Sequence, residues 1–317
     1  MVPAVRPSFS FLWTLVLAAS LGSLASARTI NGFPVDNSTV PVEHLKRAAP
    51  AKDSIPALDA PRFVAAAEVA HLADTDEVFS LSVKGETRAY PLRVLVWHEV
   101  VNDRFGDQAV TVTYSALTGT VLAFAETEPR EPEGFGVSGI LYNSGLLFYD
   151  RATLSLWSQL KGSAISGPRQ GEELVGVAGD RQTWASWKAE YPAGTVLWPD
   201  NDRAADYEGE WPYGDYAEKE ATIFPFDINR RDFKTKVRLV GLVWEGKARA
   251  WPVEKLALRE SFYDSIGSRQ LKITYDAKAQ KTQIRDLMTR ELLPAVSVYW
   301  FAWQAFYPDT SVWLPLQ

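Results

Sequence analysis

The chain has 317 residues and no cysteine, so it can form neither a disulfide nor a thiolate metal site. Its 33 basic and 39 acidic residues give a net charge of −6, which argues against nucleic acid as a partner. Aromatic residues make up 12% of the sequence, enough for a substantial core and for ring surfaces that face a ligand.

Residues 1–27 have the pattern of a secretory signal peptide. Arg6 precedes an apolar run from Phe9 to Leu24, and Ala25-Ser26-Ala27 is typical of a cleavage site. No later segment is apolar enough to span a bilayer. The sequence therefore predicts a periplasmic or secreted protein that begins at Arg28 and has no transmembrane segment after cleavage.

The next elements are predicted from local patterns. Residues 28–53 are expected to form an exposed arm. The stretch "VFSLSVKGETRAYP" alternates apolar and polar residues around Lys84-Gly85, which predicts a β-hairpin. "LRVLVWHEVVNDRFG" has apolar residues at helical spacing and ends at Gly106, which predicts a helix, and "AVTVTYS" predicts a strand. "RQTWASWKAEYP" predicts a short amphipathic helix that ends at Pro192.

Two parts of this pattern recur later in the chain. Residues 84–114 align without a gap on residues 245–275, with Gly85 matching Gly246, and residues 183–199 align on residues 299–315. Such self-similarity predicts an internal duplication. We therefore expect an α+β fold, β-rich with short helices, built from two related β-hairpin/helix/strand units. The first unit is residues 54–200, with an inserted pocket segment at 115–182; residues 201–236 connect it to a shorter second unit, residues 237–317.

A candidate catalytic pair lies in the first unit. His98 and Asn102 are four residues apart and would share one face of the predicted helix, facing the end of the strand that bears Tyr114 and Ser115. Histidine exchanges protons near neutral pH, and a hydroxyl in a glycine-containing turn is a possible nucleophile. His98 and Ser115 are therefore the candidate catalytic residues, with a structural role for the histidine as the alternative.

The candidate ligand-binding residues combine small hydrogen-bonding groups with flat aromatic rings, a mixture that lines pockets but also occurs in ordinary hairpins. They are Asn102, Tyr114, Thr118, Ser138, Asn143 and Trp157.

No metal or cofactor is predicted. The three histidines, His44, His71 and His98, do not have ligand spacing, and the sequence contains no phosphate loop and no G-x-S-x-G elbow.

Five segments in order, "AKDSIPALDAPRF", "RAYPLRVLVWHEVVND", "VTYSALTGT", "FGVSGILYNSGLLFYDR" and "LWSQL", resemble the bacterial family called domain of unknown function 3179, over roughly residues 51–315. The resemblance implies a shared fold and pocket position. It also implies that other members commonly carry a cysteine at the position of Ser115, in a turn of the type Y-C-P-L-T/C-G, and that some carry a second at the position of Thr118. Such thiols would suit redox chemistry or a soft metal. This chain departs from that pattern, with Ser115 and Ala116 in the turn.

Three functions remain open from the sequence. The first is a binding module for a small polar molecule, such as a sugar or a cell-envelope fragment. The second is a hydrolase or transferase with His98 as base and Ser115 as nucleophile. The third is a structural envelope protein without a ligand. A hydrogen bond between the Ser115 hydroxyl and a His98 ring nitrogen would favour the enzyme.

Overall fold

The structure is a computed structural model that describes residues 28–126, 134–199 and 203–315. Of these residues, 42% are in strands and 12% in helices. The predicted signal peptide, residues 1–27, lies outside the described residues.

The strands are short and follow one another closely along the chain. In order they are β1 (Thr29–Ile30), β2 (Phe33–Pro34), β3 (Leu45–Arg47), β4 (Leu58–Asp59), β5 (Phe63–Ala65), β6 (Glu77–Val83), β7 (Glu86–Pro91), β8 (Val100–Phe105), β9 (Gln108–Ser115), β10 (Thr120–Ala125), β11 (Phe135–Tyr142), β12 (Gly145–Asp150), β13 (Leu156–Ser158), β14 (Ser163–Ser166), β15 (Val175–Val177), β16 (Gly179–Thr183), β17 (Thr195–Leu197), β18 (Arg238–Trp244), β19 (Lys247–Pro252), β20 (Ser261–Ile266), β21 (Arg269–Asp276), β22 (Lys281–Asp286), β23 (Val296–Tyr299) and β24 (Ser311–Val312).

The α-helices among the described residues have four to seven residues each. They are α1 (Leu92–Leu95), α2 (Trp184–Glu190), α3 (Ala204–Glu208), α4 (Val253–Leu256) and α5 (Trp300–Phe306), and short 3₁₀ turns cover Val42–His44 and Ala66–Glu68.

The strands form five small sheets in a five-blade, propeller-like arrangement. In the order of hydrogen-bonded neighbours, sheet I is β16-β6-β7-β17-β5, sheet II is β15-β10-β9-β8-β4, and sheet III is β14-β13-β12-β11-β3. Sheet IV is β23-β18-β19-β24 and sheet V is β20-β21-β22, while β1 and β2 pair separately. Most neighbours are antiparallel, as expected for strands that follow one another through short turns.

The prediction of an α+β fold made of two duplicated units is therefore wrong. The aligned segments form similar local hairpins, since Ser80 pairs with Ala89 and Gly241 pairs with Ala250. However, these hairpins are parts of separate small sheets, and the supposed insertion, residues 115–182, supplies strands to sheets I, II and III. The similarity of these short segments therefore indicates that both form hairpins, but it does not predict how the hairpins assemble in the chain.

The predicted helix over residues 92–106 is also wrong. Only Leu92–Leu95 are helical, and the chain then turns and continues as β8. Glu99, at this turn, has a φ of 57°, a left-handed value that ends the helix. Because both Val100 and Val101 of β8 are fully buried, the strand lacks a regular alternation of apolar and polar residues and resembles a helix in sequence.

The two segments that flank the predicted first unit also pack against the sheets. In residues 28–53, expected to be an exposed arm, Phe33 and Val35 are buried and β3 pairs with β11 of sheet III. In the connecting segment, residues 201–236, Tyr207 is fully buried against the first sheets. Both segments therefore close the sides of the sheets.

Candidate functional site

His98 lies in the turn between α1 and β8, where it is 2% exposed. Its Nδ1 lies 2.8 Å from the carbonyl oxygen of Pro56 and its Nε2 lies 2.6 Å from the hydroxyl oxygen of Tyr207. A carbonyl can only accept, so Nδ1 carries the hydrogen and Nε2 accepts from Tyr207. Burial lowers the pKa of His98, and the bond to Pro56 opposes this only in part. The ring is thus neutral and joins three segments of the chain.

Ser115 lies at the end of β9 and is 3% exposed. Its hydroxyl oxygen accepts a hydrogen bond from the backbone N–H of Thr118 at 3.4 Å, within the turn that leads to β10. Within the described part of the chain no hydrogen bond joins Ser115 to His98, whose two ring nitrogens are occupied elsewhere. The structure therefore does not form the nucleophile–base pair that the sequence suggested.

Asn102 lies on β8 and bridges three strands, and is not part of a helix face shared with His98. Its Nδ2 donates to Asp59 at 2.7 Å and to the Phe135 carbonyl at 2.8 Å, while its Oδ1 accepts from the Phe135 N–H at 2.9 Å. Asn102 lines a cavity of about 590 Å³. Charged side chains that line this cavity form ion pairs, as Arg151 does with Asp59. Asn102 thus holds sheets II and III together at this point.

Three other candidate residues are bonded within or beside sheet III. The Ser138 hydroxyl donates to the Leu147 carbonyl, and Trp157 Nε1 donates to Asp150 at 2.9 Å. Asn143 Oδ1 accepts from the backbone N–H of Asp227 at 2.9 Å. All three candidates are buried. The structure does not bring them to the same place as His98 or Ser115.

Tyr114 faces a different cavity, of about 270 Å³, which we call the arginine pocket. Its walls come from the starts of β6 and β18, the ends of β9 and β23, β16, α1 and the segment 211–217. The lining residues are Thr75, Asp76, Glu77, Leu92, Arg93, Tyr114, Ala116, Arg181, Trp211, Gly214, Tyr216, Ala217, Arg238 and Tyr299. Tyr114 meets Trp211 edge to face, with ring centroids 6.5 Å apart.

The turn 115–119 borders the arginine pocket, which Ala116 lines, and is held largely by pocket residues. Arg181 Nη1 donates to the Gly119 carbonyl at 2.9 Å, and the Tyr216 hydroxyl donates to the Leu117 carbonyl at 3.1 Å. Thr118 was predicted to contact a ligand through its side chain. In the structure its backbone carbonyl accepts from the Tyr299 N–H at 2.9 Å. A Cβ at Gly119, which has a φ of 67°, would lie 2.9 Å from the Tyr299 ring, so glycine permits this close approach.

A charged cluster crosses the floor of the arginine pocket. Glu77 pairs with Arg181 through two bonds, at 2.8 and 2.5 Å, and with Arg238 at 2.9 Å. Burial alone would raise the pKa of Glu77, but the two guanidinium groups outweigh it and lower the pKa to about 2. Two cations face one carboxylate, so the cluster carries one excess positive charge.

The two arginines differ in how fully they are used. All the bonds of Arg181 go to Glu77 and Gly119, and its side chain is 10% exposed. The Arg238 side chain is 32% exposed, and its second hydrogen bond to Glu77 is long, at 3.5 Å. Arg238 Nε has no hydrogen-bond partner among the described residues. Of these two arginines, Arg238 is therefore the one with donors left for a molecule in the pocket.

Sequence reasoning found Tyr114 but missed Glu77, Arg181 and Arg238. Glu77 is 104 residues from Arg181 and 161 from Arg238, so no local motif contains the cluster. One sequence signal was present: Glu77 and Arg238 each begin an apolar strand of a hairpin and occupy matching positions with opposite charge. A charge at the first position of a buried strand is a candidate for such pairing.

The part of the chain that the structure describes shows no group of three histidine and acidic residues arranged to hold a metal ion. In the same residues, no helix has the length and apolar character needed to cross a membrane.

The fold and the arginine pocket define a cysteine-free, β-rich protein with a small cationic cavity between its sheets. The chain belongs to the family described as protein of unknown function (DUF3179), whose model matches residues 52–310. This confirms the resemblance seen in the sequence. Neither a curated protein nor a solved structure matches the chain.

Proposed function

We propose that this protein binds a small polar molecule that carries a carboxylate or a similar anionic group, and that the arginine pocket is the binding site. The observation that carries the proposal is the excess positive charge of the Glu77–Arg181–Arg238 cluster at the floor of a cavity. Arginine donors bind planar anions such as carboxylates well because their geometry matches two oxygens. The free donors of Arg238 would make this contact.

The rest of the pocket supports a ligand with a ring or another flat apolar part. Tyr114 and Trp211 provide aromatic surface on one wall, and Trp211 is 37% exposed. Burial raises the pKa of Tyr114, so its hydroxyl stays protonated and can donate a hydrogen bond. The volume of about 270 Å³ lies just below the range of about 300–1,000 Å³ that is usual for drug-sized ligands. The expected ligand is therefore small.

The alternatives from the sequence gain no support from the geometry. A hydrolase or transferase mechanism through His98 and Ser115 needs a proton path between them, and both ring nitrogens of His98 are bonded to other groups. A purely structural role would not require an unused arginine donor beside a cavity. Binding of an anion would use both the cavity and the unused donor of Arg238.

Calorimetric titration with benzoate and succinate, and with neutral benzamide, tests the proposal. We expect the carboxylates to bind and benzamide to bind at least about tenfold more weakly, since about 1.4 kcal/mol separates them when one charge-assisted bond is lost. Arg238→Gln should weaken carboxylate binding by a similar factor. The matched control is Arg259→Gln, which makes the same charge change at an exposed residue that does not line the pocket.

Three results would reject the anion-binding proposal. These are equal binding of benzoate and benzamide, unchanged binding in Arg238→Gln, and equal losses in Arg238→Gln and Arg259→Gln. The last result would indicate a general effect of net charge and not a pocket.

We also propose that the protein is exported to the periplasm or secreted. The support is the sequence of residues 1–27, with its apolar run and its Ala25-Ser26-Ala27 cleavage pattern. The intact mass of the protein recovered from the exported fraction should correspond to a chain that begins at Arg28. Retention of residues 1–27 would contradict cleavage at this point.

A further inference from the structure

A second cavity, of about 660 Å³, lies between sheets I and V and shares no lining residue with the arginine pocket. We call it the polar cleft. One side is α2, where Ala185, Ser186 and Ala189 are small and leave space, and the other side is formed by β21 and β22. The half-buried Tyr275 contributes an aromatic ring to this second side.

A network of polar groups, with Lys281 and Asp180 buried and Glu190 exposed, forms the floor of the polar cleft. Lys281, 9% exposed, donates to both carboxylate oxygens of Glu190, at 3.0 and 2.8 Å, and lies 3.5 Å from Asp180. Gln283 Nε2 donates to the other partner of this lysine, Asp180, at 2.5 Å. These contacts join β16 and α2 to β22, so the floor is rigid and its lysine charge is already neutralised.

Gln182 is the exception in this network. It lines the cleft and is fully buried, yet neither its amide nitrogen nor its amide oxygen has a hydrogen-bond partner among the described residues. Burial would raise the pKa of the neighbouring Glu190, Lys281 lowers it, and Gln182 adds only a small lowering contribution; the Gln182 and Glu190 side chains do not reach hydrogen-bond geometry. Asp180 Oδ1 is also buried without a partner. A buried polar group that stays unsatisfied destabilises the folded protein.

The unpartnered atoms define the chemistry of a molecule that would satisfy them. Among the residues that line the cleft, the Gln182 amide offers one donor group and one acceptor. Neighbouring hydroxyl groups can both donate and accept, so two of them on one molecule match an amide. The charged residues that line the cleft balance one another, with Glu190 and Asp276 against Lys278 and Lys281, so the cleft has no excess charge to attract an ion.

From this arrangement we infer that the polar cleft binds a neutral polyhydroxylated molecule of about monosaccharide size, with Gln182 as the central hydrogen-bonding residue. The Tyr275 ring supplies a flat surface for the apolar face of such a molecule. The inference is independent of the anion site, because the two cavities have no residue in common.

The test uses D-glucose, D-galactose and N-acetylglucosamine as probes with the whole protein, measured by saturation-transfer NMR and calorimetry up to about 50 mM, well above the millimolar Kd that corresponds to a few hydrogen bonds. We expect at least one sugar to bind. Gln182→Leu should reduce its affinity about tenfold or more, because the variant removes both hydrogen-bonding atoms at similar volume. The same variant should unfold at an equal or higher temperature than the wild type, since it also removes an unsatisfied buried amide.

A structural role for Gln182 predicts the opposite result, namely a lower unfolding temperature and unchanged sugar binding. Ala189→Phe, which fills the cleft from α2, should also abolish sugar binding, while Arg238→Gln should leave it unchanged. Failure of all three sugars to bind the wild type, or equal binding to Gln182→Leu, would overturn the inference. Because benzoate and succinate are measured separately, this failure is distinguishable from failure of the anion site.

Discussion

Glu99 places a carboxyl group where the fold provides no partner for it. The residue follows His98, has a left-handed φ of 57°, and no hydrogen bond or ion pair involves its side chain among the described residues. Burial raises the pKa of Glu99 from 4.5 to about 7, and its negative field contributes to raising the pKa of Tyr213 to about 12. Burial itself also raises the pKa of Tyr213, and more strongly. Folding therefore disfavours the ionised form of Glu99 relative to the unfolded chain.

The sign of the pH effect follows from this raised pKa. The folded state binds the proton of Glu99 more tightly than the unfolded state, so stability is fully present below about pH 4.5 and is lost as the pH rises through about 7. A shift of this size corresponds to at most about 3 kcal/mol, and to about 1–3 kcal/mol when partial solvent contact is allowed for. Glu99→Gln should therefore raise the free energy of unfolding by about 1–3 kcal/mol near pH 8 and have little effect near pH 4.

Urea unfolding of the wild type and Glu99→Gln at both pH values measures this difference. The matched control is Glu260→Gln, because Glu260 occupies the corresponding turn before β20 but is exposed. In both turns the backbone carbonyl of the glutamate accepts from a tyrosine N–H, although Glu99 has a left-handed φ and Glu260 does not. Equal effects of the two substitutions, or a Glu99→Gln effect that does not depend on pH, would refute the reasoning from burial.

Three other substitutions test the fold and the site. Glu77→Gln should destabilise the protein by about 3–5 kcal/mol in urea unfolding, because it leaves the buried Arg181 without its carboxylate; a loss below about 1 kcal/mol would contradict the pairing. Ser115→Cys should give a thiol that reacts with iodoacetamide more slowly than free cysteine at neutral pH, because the side chain is 3% exposed; faster reaction would show that the turn opens. Gly241→Ala should cost about 1–3 kcal/mol, since its Cβ would lie 2.4 Å from the Trp303 ring, and unchanged stability would mean that the ring can move.

The sequence predicted individual elements better than their assembly. The hairpin around Lys84-Gly85 is confirmed, with φ values of 51° and 82° at the two turn residues, because such a turn has a strong local signature. The short amphipathic helix is confirmed as α2, with Trp184 and Trp187 fully buried. The five-sheet arrangement depends on contacts between distant strands, such as β3 with β11, which no local pattern contains.

For a similar reason, the sequence pointed to one residue of the arginine pocket and not to the pocket itself. Tyr114 was identified because its strand and turn are local features, and it does line the arginine pocket. His98 and Trp157 were chosen for their chemical type, but the fold uses their polar atoms to bond Pro56 and Asp150. A side chain suited to catalysis is also suited to satisfying a buried carbonyl or carboxylate, and only the surrounding structure decides between the two roles.

The serine at position 115 bears on what this family member can do. The turn 115–119 keeps its shape through backbone carbonyls, since Leu117, Thr118 and Gly119 are each held by a group from another segment. The side chain at Ser115 contributes only one long hydrogen bond within the turn. Ser115 itself does not line the arginine pocket. The resemblance implies a thiol here in other members; a hydroxyl has no redox or soft-metal chemistry, while the Glu77–Arg181–Arg238 cluster, on which the anion-binding proposal rests, does not involve residue 115.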